Sequence, residues 1–120
     1  MKLIEIRPIL YTNETKETVD FYTGKLGFEC PVMNEEWGWA ILKKDDIEIS
    51  ISFPNAHTEF SKPAFTGSFY IICEEVEKIW QGLKDKVKLC YPLEDFEHGM
   101  REFAIYDNNG YILQFGQEIH

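Results

Sequence analysis

One order of elements runs through this chain twice. Residues 3–11 alternate as a strand does, and the spacing Val19-x-x-Tyr22-x-x-x-Leu26 then predicts an amphipathic helix. Three further strand-like runs end near Phe53. After a proline-bearing stretch the order recurs: a strand over 68–73, the helix Val76-x-x-Ile79-Trp80-x-x-Leu83, and strand-like runs ending at Phe115. The chain is therefore expected to be one α+β domain, residues 1–120, built from two β-α-β-β-β modules at about 1–53 and 66–117. Neither module can cover its own sheet face. Two of them, or four in a dimer, can close the sheet around a crevice.

The local signals agree with this order. Ile4, Ile6, Pro8 and Leu10 share one face of the first strand, and Glu5, Arg7, Ile9 and Tyr11 the other. Pro8 has no N–H to give a ladder, so it marks an edge, a bulge or a point where the strand leaves its sheet. Asn13 is the expected cap of the first helix and Gly27 its left-handed terminator. The run 37–43, a charged turn at Lys44-Asp45-Asp46 and the run 47–53 predict a hairpin. Residues 54–63, with two prolines and little periodicity, predict the linker. The second helix opens on Glu74, Glu75 and Glu77 and closes on Lys84 and Lys86, matching its dipole. Residues 87–99 carry no clear period. Asp107-Asn108-Asn109-Gly110 is the strongest turn signal, flanked by strands over 101–106 and 111–115.

Composition narrows the function classes. A net charge of −9 repels phosphate, which weighs against nucleic acid and anionic membrane surfaces as partners. Three scattered cysteines with no Cys-x-x-Cys pair predict thiols in a reducing, cytoplasmic setting rather than a disulfide framework or zinc knuckle. The opening Met1-Lys2-Leu3-Ile4-Glu5 does not resemble a signal peptide, and no run reaches membrane-spanning length.

Asp20-Phe21-Tyr22-x-x-x-Leu26-Gly27-Phe28 and the run from Gly99 through Asp107-Asn108-Asn109-Gly110 to Gly116 together resemble the glyoxalase/bleomycin-resistance/extradiol-dioxygenase superfamily, also called vicinal oxygen chelate. The likeness covers nearly the whole chain and keeps the order of both halves. It implies paired modules in a curved half-barrel sheet with a concave crevice. It leaves function open, because that fold hosts lyases, dioxygenases, epimerases, thiol transferases and non-catalytic antibiotic-binding proteins.

The resemblance also implies where a metal would bind. Metal-dependent members use the first, fourth, fifth and last strands, and the matching positions here are Arg7, Ser50, Ser68 and Gln114. A guanidinium has no lone pair to offer and repels a cation, serines are poor ligands, and Gln114 offers one neutral carbonyl oxygen. A register slip that substitutes Glu48 for Ser50 still yields a single carboxylate. Nickel, zinc or iron sites want three or four imidazole, thiolate or carboxylate donors. No metal and no cofactor are therefore expected. No catalytic residue is nominated either. His57 and His120 read as surface imidazoles, Cys73 as a core thiol on the helix-facing side of its strand, Cys30 and Cys90 lack a base partner, and His98 is kept as a substrate contact.

Period-two bookkeeping predicts a ligand-facing lining without the family. With Ile47, Ile49 and Ile51 turned to a helix, Glu48, Ser50 and Ser52 face the other way, and a two-residue turn aligns Trp37, Trp39 and Ile41 with them. Applied to the last hairpin, it aligns Arg101, Phe103 and Ile105 with Gln114. Arg7, Ile9, Tyr11, Ser68 and Tyr70 complete a face of flat rings with a few polar anchors, the make-up of an organic-ligand pocket. Acidic segments holding Glu35, Glu36, Glu94, Asp95 and Glu97 would suit a cationic ligand, whereas Arg7 and Arg101, unless neutralised by Glu48 or Glu102, would suit an anionic one. The reading is a metal-free binder of the bleomycin-resistance type, sequestering an aromatic or amphipathic antibiotic or toxin in a homodimer crevice. Pro8 is similar to the proline at which family members pass the first strand to a partner. The alternatives are a metal-dependent enzyme of the same fold, lactoylglutathione-lyase-like or dioxygenase-like, and an interaction module whose sheet face meets a protein.

Overall fold

A computed structural model describes every residue except Leu3, Thr58, Thr66 and His120. The contacts divide the chain into two compact units, Met1–Pro63 and Ala64–His120, so the boundary falls at the end of the expected linker.

The first unit contains β1 (Ile9–Tyr11), α1 (Thr15–Gly24), β2 (Glu29–Asn34), β3 (Trp39–Lys44) and β4 (Ile47–Ser52). Its sheet runs β1-β4-β3-β2, with β1 parallel to β4 and the other pairs antiparallel. The second unit repeats the plan with β5 (Phe69–Ile72), α2 (Val76–Leu83), β6 (Lys88–Asp95), β7 (Met100–Tyr106) and β8 (Ile112–Glu118), in the order β5-β8-β7-β6. The doubled α+β reading is what the chain adopts.

Each helix covers one face of its own sheet. In the first unit α1 lies on β2 and β3 and buries Val19 and Tyr22 over Leu10, Ala40, Leu42, Ile49 and Ile51. Each such aliphatic side chain contributes about 2 kcal/mol of burial. In the second unit α2 lies on β7 and β8, and Val76 and Leu83 join Phe103, Ile105, Leu113 and Phe115 in the core. Among the described residues no helix is long and apolar enough to cross a membrane.

Several boundaries differ from expectation, each for a local reason. The expected strand 3–11 is cut to Ile9–Tyr11. Pro8 gives its carbonyl to the Ser50 N–H (3.0 Å) but has no donor of its own, and Ile4 and Ile6 before it are 86% and 92% exposed. Asn13 is not the helix cap. Glu14 holds that place without a side-chain bond, while the Thr12 hydroxyl accepts from the Glu14 N–H at 2.9 Å. The helix stops at Gly24 with Lys25 as its cap. Gly27, the expected terminator, lies beyond it at φ +76°, where it turns the chain and lets the Phe28 N–H reach the Tyr22 carbonyl at 2.9 Å. Residues 87–99 hid a strand because β6 bulges twice against β7, once beside Tyr91 and once across Pro92 and Leu93. Each extra residue breaks the alternation, and an edge strand tolerates the proline. β2, also an edge, bulges at Cys30-Pro31 in the same way.

Candidate functional site

The face of each sheet opposite its helix is where the expected lining belongs, and the two faces differ in kind. On the first sheet Ile9, Ser50 and Ile41 form one cross-strand row, and Tyr11, Ser52 and Trp39 the next. The two-residue turn Asp45-Asp46, with Asp45 at φ +53°, sets this register and confirms the alignment of Trp39 and Ile41 with the serines. Ile9 is 58% exposed and Trp39 36%, so the row is open to solvent. Asn55 ties the end of this face by donating to the Tyr11 hydroxyl at 2.6 Å, and Phe60 meets the Tyr11 ring edge-on. Trp37 is not in the strand. It sits in the β2–β3 turn, whose backbone is pinned by Asn34 Oδ1 accepting from the Trp37 N–H at 2.9 Å. Next to it Gly38 is covered so closely by the Phe53 ring that a Cβ there would lie 2.2 Å from the ring.

Arg7 is already engaged. Its guanidinium bonds Glu5 at 2.8 Å and lies 3.4 Å from Glu48, so Glu48 does act as a countercharge.

The second sheet carries a polar network instead. Glu102 is buried, with 5% of its side chain exposed, and Oε1 accepts from the Tyr70 hydroxyl at 2.6 Å and meets His98 Nε2 at 2.9 Å. Oε2 accepts from the Tyr91 hydroxyl. That hydroxyl in turn accepts from Gln114 Nε2 at 2.8 Å, and Gln114 Oε1 accepts from Ser68. Gly116 makes the approach of Tyr70 possible: a Cβ at that position would stand 2.5 Å from the Tyr70 hydroxyl.

The electrostatics follow from these contacts. Burial alone would raise the Glu102 pKa, but hydrogen bonds from Tyr70, Tyr91 and His98 outweigh it and hold the carboxyl below its ordinary value. Burial and the adjacent carboxylate push the Tyr91 phenol up to about 12 and raise Tyr70 further still. The hydroxyls therefore stay protonated and donate to an ionised carboxylate.

Ser68, Tyr70 and Gln114 thus come together as expected, and His98 joins them. Two other expected lining residues do not. Phe103 is fully buried beneath α2, 5.3 Å from the Trp80 ring, with Ile105 beside it in the core. Arg101 turns away from Gln114 and binds Asp95 at 2.7 Å, with Glu77 at 3.8 Å, so Glu102 is not its countercharge. The cause is the final turn. Three residues, Asn108 to Gly110, separate Asp107 from Tyr111, and the Asp107 carboxylate accepts from the N–H groups of Asn109 and Tyr111 at 2.8 and 2.9 Å. An odd loop shifts the register by one residue, pairs Ala104 with Gln114, and turns Glu102 to the open side. Tyr91 reaches that side only through the first β6 bulge, which an uninterrupted period of two does not predict.

The donor chemistry is poor for the metal that the sequence resemblance implies. The second sheet's network holds one carboxylate and one imidazole, already bonded to each other, beside a serine–glutamine pair, while Glu94 across from Glu102 is exposed. Among the described residues no group of three or more His, Cys, Asp or Glu side chains converges. These residues do not fit a nickel-, zinc- or iron-type site.

Residues 4–115 match the family Glyoxalase/Bleomycin resistance protein/Dioxygenase superfamily. The chain belongs to this superfamily. Solved structures of the same fold include the bleomycin-binding protein from bleomycin-producing Streptomyces verticillus, complexed with copper(II)-bleomycin (22% identity over 96% of each chain, TM-score 0.72). TioX from Micromonospora sp. ML1 is similar at 16% identity over 97% of this chain and 99% of that one, TM-score 0.75. A glyoxalase/bleomycin resistance protein/dioxygenase from Nocardioides is similar at 15% identity over 100% of this chain and 86% of that one, TM-score 0.80. No curated protein matches significantly.

Proposed function

We propose that this superfamily member is a small-molecule-binding protein of the bleomycin-resistance type, holding an aromatic or amphipathic compound by sequestration and without a metal. The observation that carries the reading is the face of the first sheet opposite α1, where Ile9, Ile41, Tyr11 and Trp39 flank Ser50 and Ser52. Apolar rings beside a few hydroxyls are what a ligand pocket offers. The bleomycin-binding relative supports a binding role for the fold. A second copy of the chain would complete the crevice, since β1 is a short edge strand and the segment before it exposes Ile4 and Ile6.

The test is a screen of planar compounds followed by tryptophan fluorescence. Bound compound should quench wild type and the Trp80→Phe variant, while Trp39→Phe loses most of the quenching. Full quenching in Trp39→Phe would remove the first-sheet face from the binding site. Elemental analysis of protein purified without added metal separates this reading from a metal-dependent lyase or dioxygenase. About one transition ion per chain, lost together with activity on chelation, would establish the enzyme instead.

A further inference from the structure

Glu102 brings a negative charge to the open face of the second sheet, and its fixed hydrogen-bond donors, Tyr70 and Tyr91, are neutral hydroxyls. The remaining partner is His98, the outermost of the three, with 56% of its side chain exposed. Its imidazole lies tilted at 30° against the Phe96 ring, centroids 5.7 Å apart, and Phe96 meets Tyr91 edge-on at 5.9 Å. A nitrogen heterocycle thus rests against an aromatic ring with its N–H on a buried carboxylate.

We propose that this face recognises an organic cation, a protonated amine, amidine or guanidinium carried on an apolar or planar body. Glu102 supplies the countercharge, Tyr70, Tyr91 and Phe96 supply the rings, and His98 occupies the place of the ligand's N–H group until it is displaced. The proposal rests on the small-molecule-binding reading and adds the ligand's charge and the face that reads it.

Four observations carry it. The carboxylate stays ionised, because its hydrogen bonds outweigh the opposing effect of burial. Such a charge in a low-dielectric setting acts strongly on an incoming cation, and aromatic faces add to the attraction. The arginines that would have favoured an anion are engaged elsewhere, Arg7 with Glu5 and Glu48, and Arg101 with Asp95 and Glu77. Glu94, directly across from Glu102 in the β6–β7 register, adds charge of the same sign. His98 sits beside Gly99, at φ +88°, in the turn between β6 and β7, so its departure disturbs no strand pair.

The experiment compares three single-ring probes of similar size, benzylammonium, benzyl alcohol and benzoate, by calorimetric titration at neutral pH. The His98 ring-proton shift, assigned with His98→Ala, locates binding. Benzylammonium should bind about tenfold or more tightly than the alcohol, and benzoate more weakly than either. Glu102→Gln should abolish the cation's advantage. His98→Ala should strengthen cation binding severalfold, because the internal occupant is gone. Should Glu102→Gln fail to fold, as judged by its melting curve, the His98→Ala result decides alone. Alcohol binding as tightly as the cation, an advantage that survives Glu102→Gln, weaker cation binding in His98→Ala, or preference for benzoate would each overturn the proposal. Equal binding of all three probes, with planar compounds still quenching Trp39, sinks the cation site and leaves the sequestration reading standing. Binding of none, with no quenching by any screened compound, sinks both.

Discussion

The β3–β4 and β7–β8 hairpins occupy the same place in their units, between the second and third strands of an identical strand order, yet they present opposite chemistry. The first turns on two residues, Asp45 and Asp46, and puts Trp39 and Ile41 on the open face. The second turns on three, Asn108 to Gly110, and puts Glu102 there while Phe103 and Ile105 go to the core. One residue of loop length decides whether a strand offers aromatic surface or a carboxylate. Loop parity, more than strand composition, has made one half of a repeated plan apolar and the other polar.

Restoring equal loop length should have the largest effect. Deleting Asn109 from the second turn should drive Glu102 into the core and Phe103 and Ile105 out. That costs about 2 kcal/mol for each exposed side chain and more for a buried charge. The expected outcome is loss of cooperative thermal unfolding by circular dichroism. A cooperative melt with the register intact would show that packing, and not the turn, sets the pairing.

The plan of the fold was legible because helix and strand periods differ, and both helices and most strands announce themselves at one period or the other. The first sheet's open face was legible for the same reason: β4 alternates without interruption and its turn has the commonest hairpin length. The second sheet's face was not. Period-two reasoning cannot see that the Asp107 side chain closes an odd loop, nor that two bulges re-aim Tyr91 and Glu94. A run such as Met100–Tyr106, apolar on both parities apart from Arg101 and Glu102, gives no vote on which side is inward. The pair of neighbouring opposite charges at Arg101-Glu102 was the available hint, since one of the two had to face each way.

Next in size, Phe103→Ala should lower stability by about 3–5 kcal/mol, because a fully buried ring leaves a cavity between Trp80 and Phe115. Trp39→Ala on the opposite hairpin should change it by about 1 kcal/mol or less. Urea denaturation midpoints measure both. Similar losses would mean that the first sheet's open face is covered after all.

Glu102→Gln should cost about 1–3 kcal/mol at neutral pH, since two tyrosine hydroxyls lose their charged acceptor. The carboxyl's folded-state pKa lies below its ordinary 4.5. Its contribution is therefore complete above that ordinary value and disappears as pH falls through the depressed one. Stability curves of wild type and variant should converge in acid. A gap that persists below the carboxylate range would assign the loss to shape rather than charge.

Gly116→Ala should be milder, about 1 kcal/mol, because Tyr70 can retreat from the new methyl group at the expense of its bond to Glu102. In Tyr70→Phe the ring carbons Cε1 and Cζ, 2.8 Å from the added Cβ, are still crowded, so a double-mutant cycle in urea reads only the share that comes from the hydroxyl's bond to Glu102. Smallest of all, Arg101→Gln should leave the midpoint unmoved, its partners Asp95 and Glu77 being solvent-exposed. It should also leave ligand affinity unmoved, because the side chain faces away from Gln114.

The parallel pairs β1–β4 and β5–β8 have a consequence for how the chain is made. Each joins strands roughly forty residues apart, Ile9 with Ser50 and Phe69 with Leu113, so a unit's first strand waits for its last before it can be fastened. During synthesis the first unit can close before the second has left the ribosome. Until Gln114 and Gly116 emerge, Tyr70 has no strand to lie against. The second unit's polar network is therefore the last part of the molecule to form, and a chain stalled short of β8 would hold a finished apolar face beside an unfinished polar one.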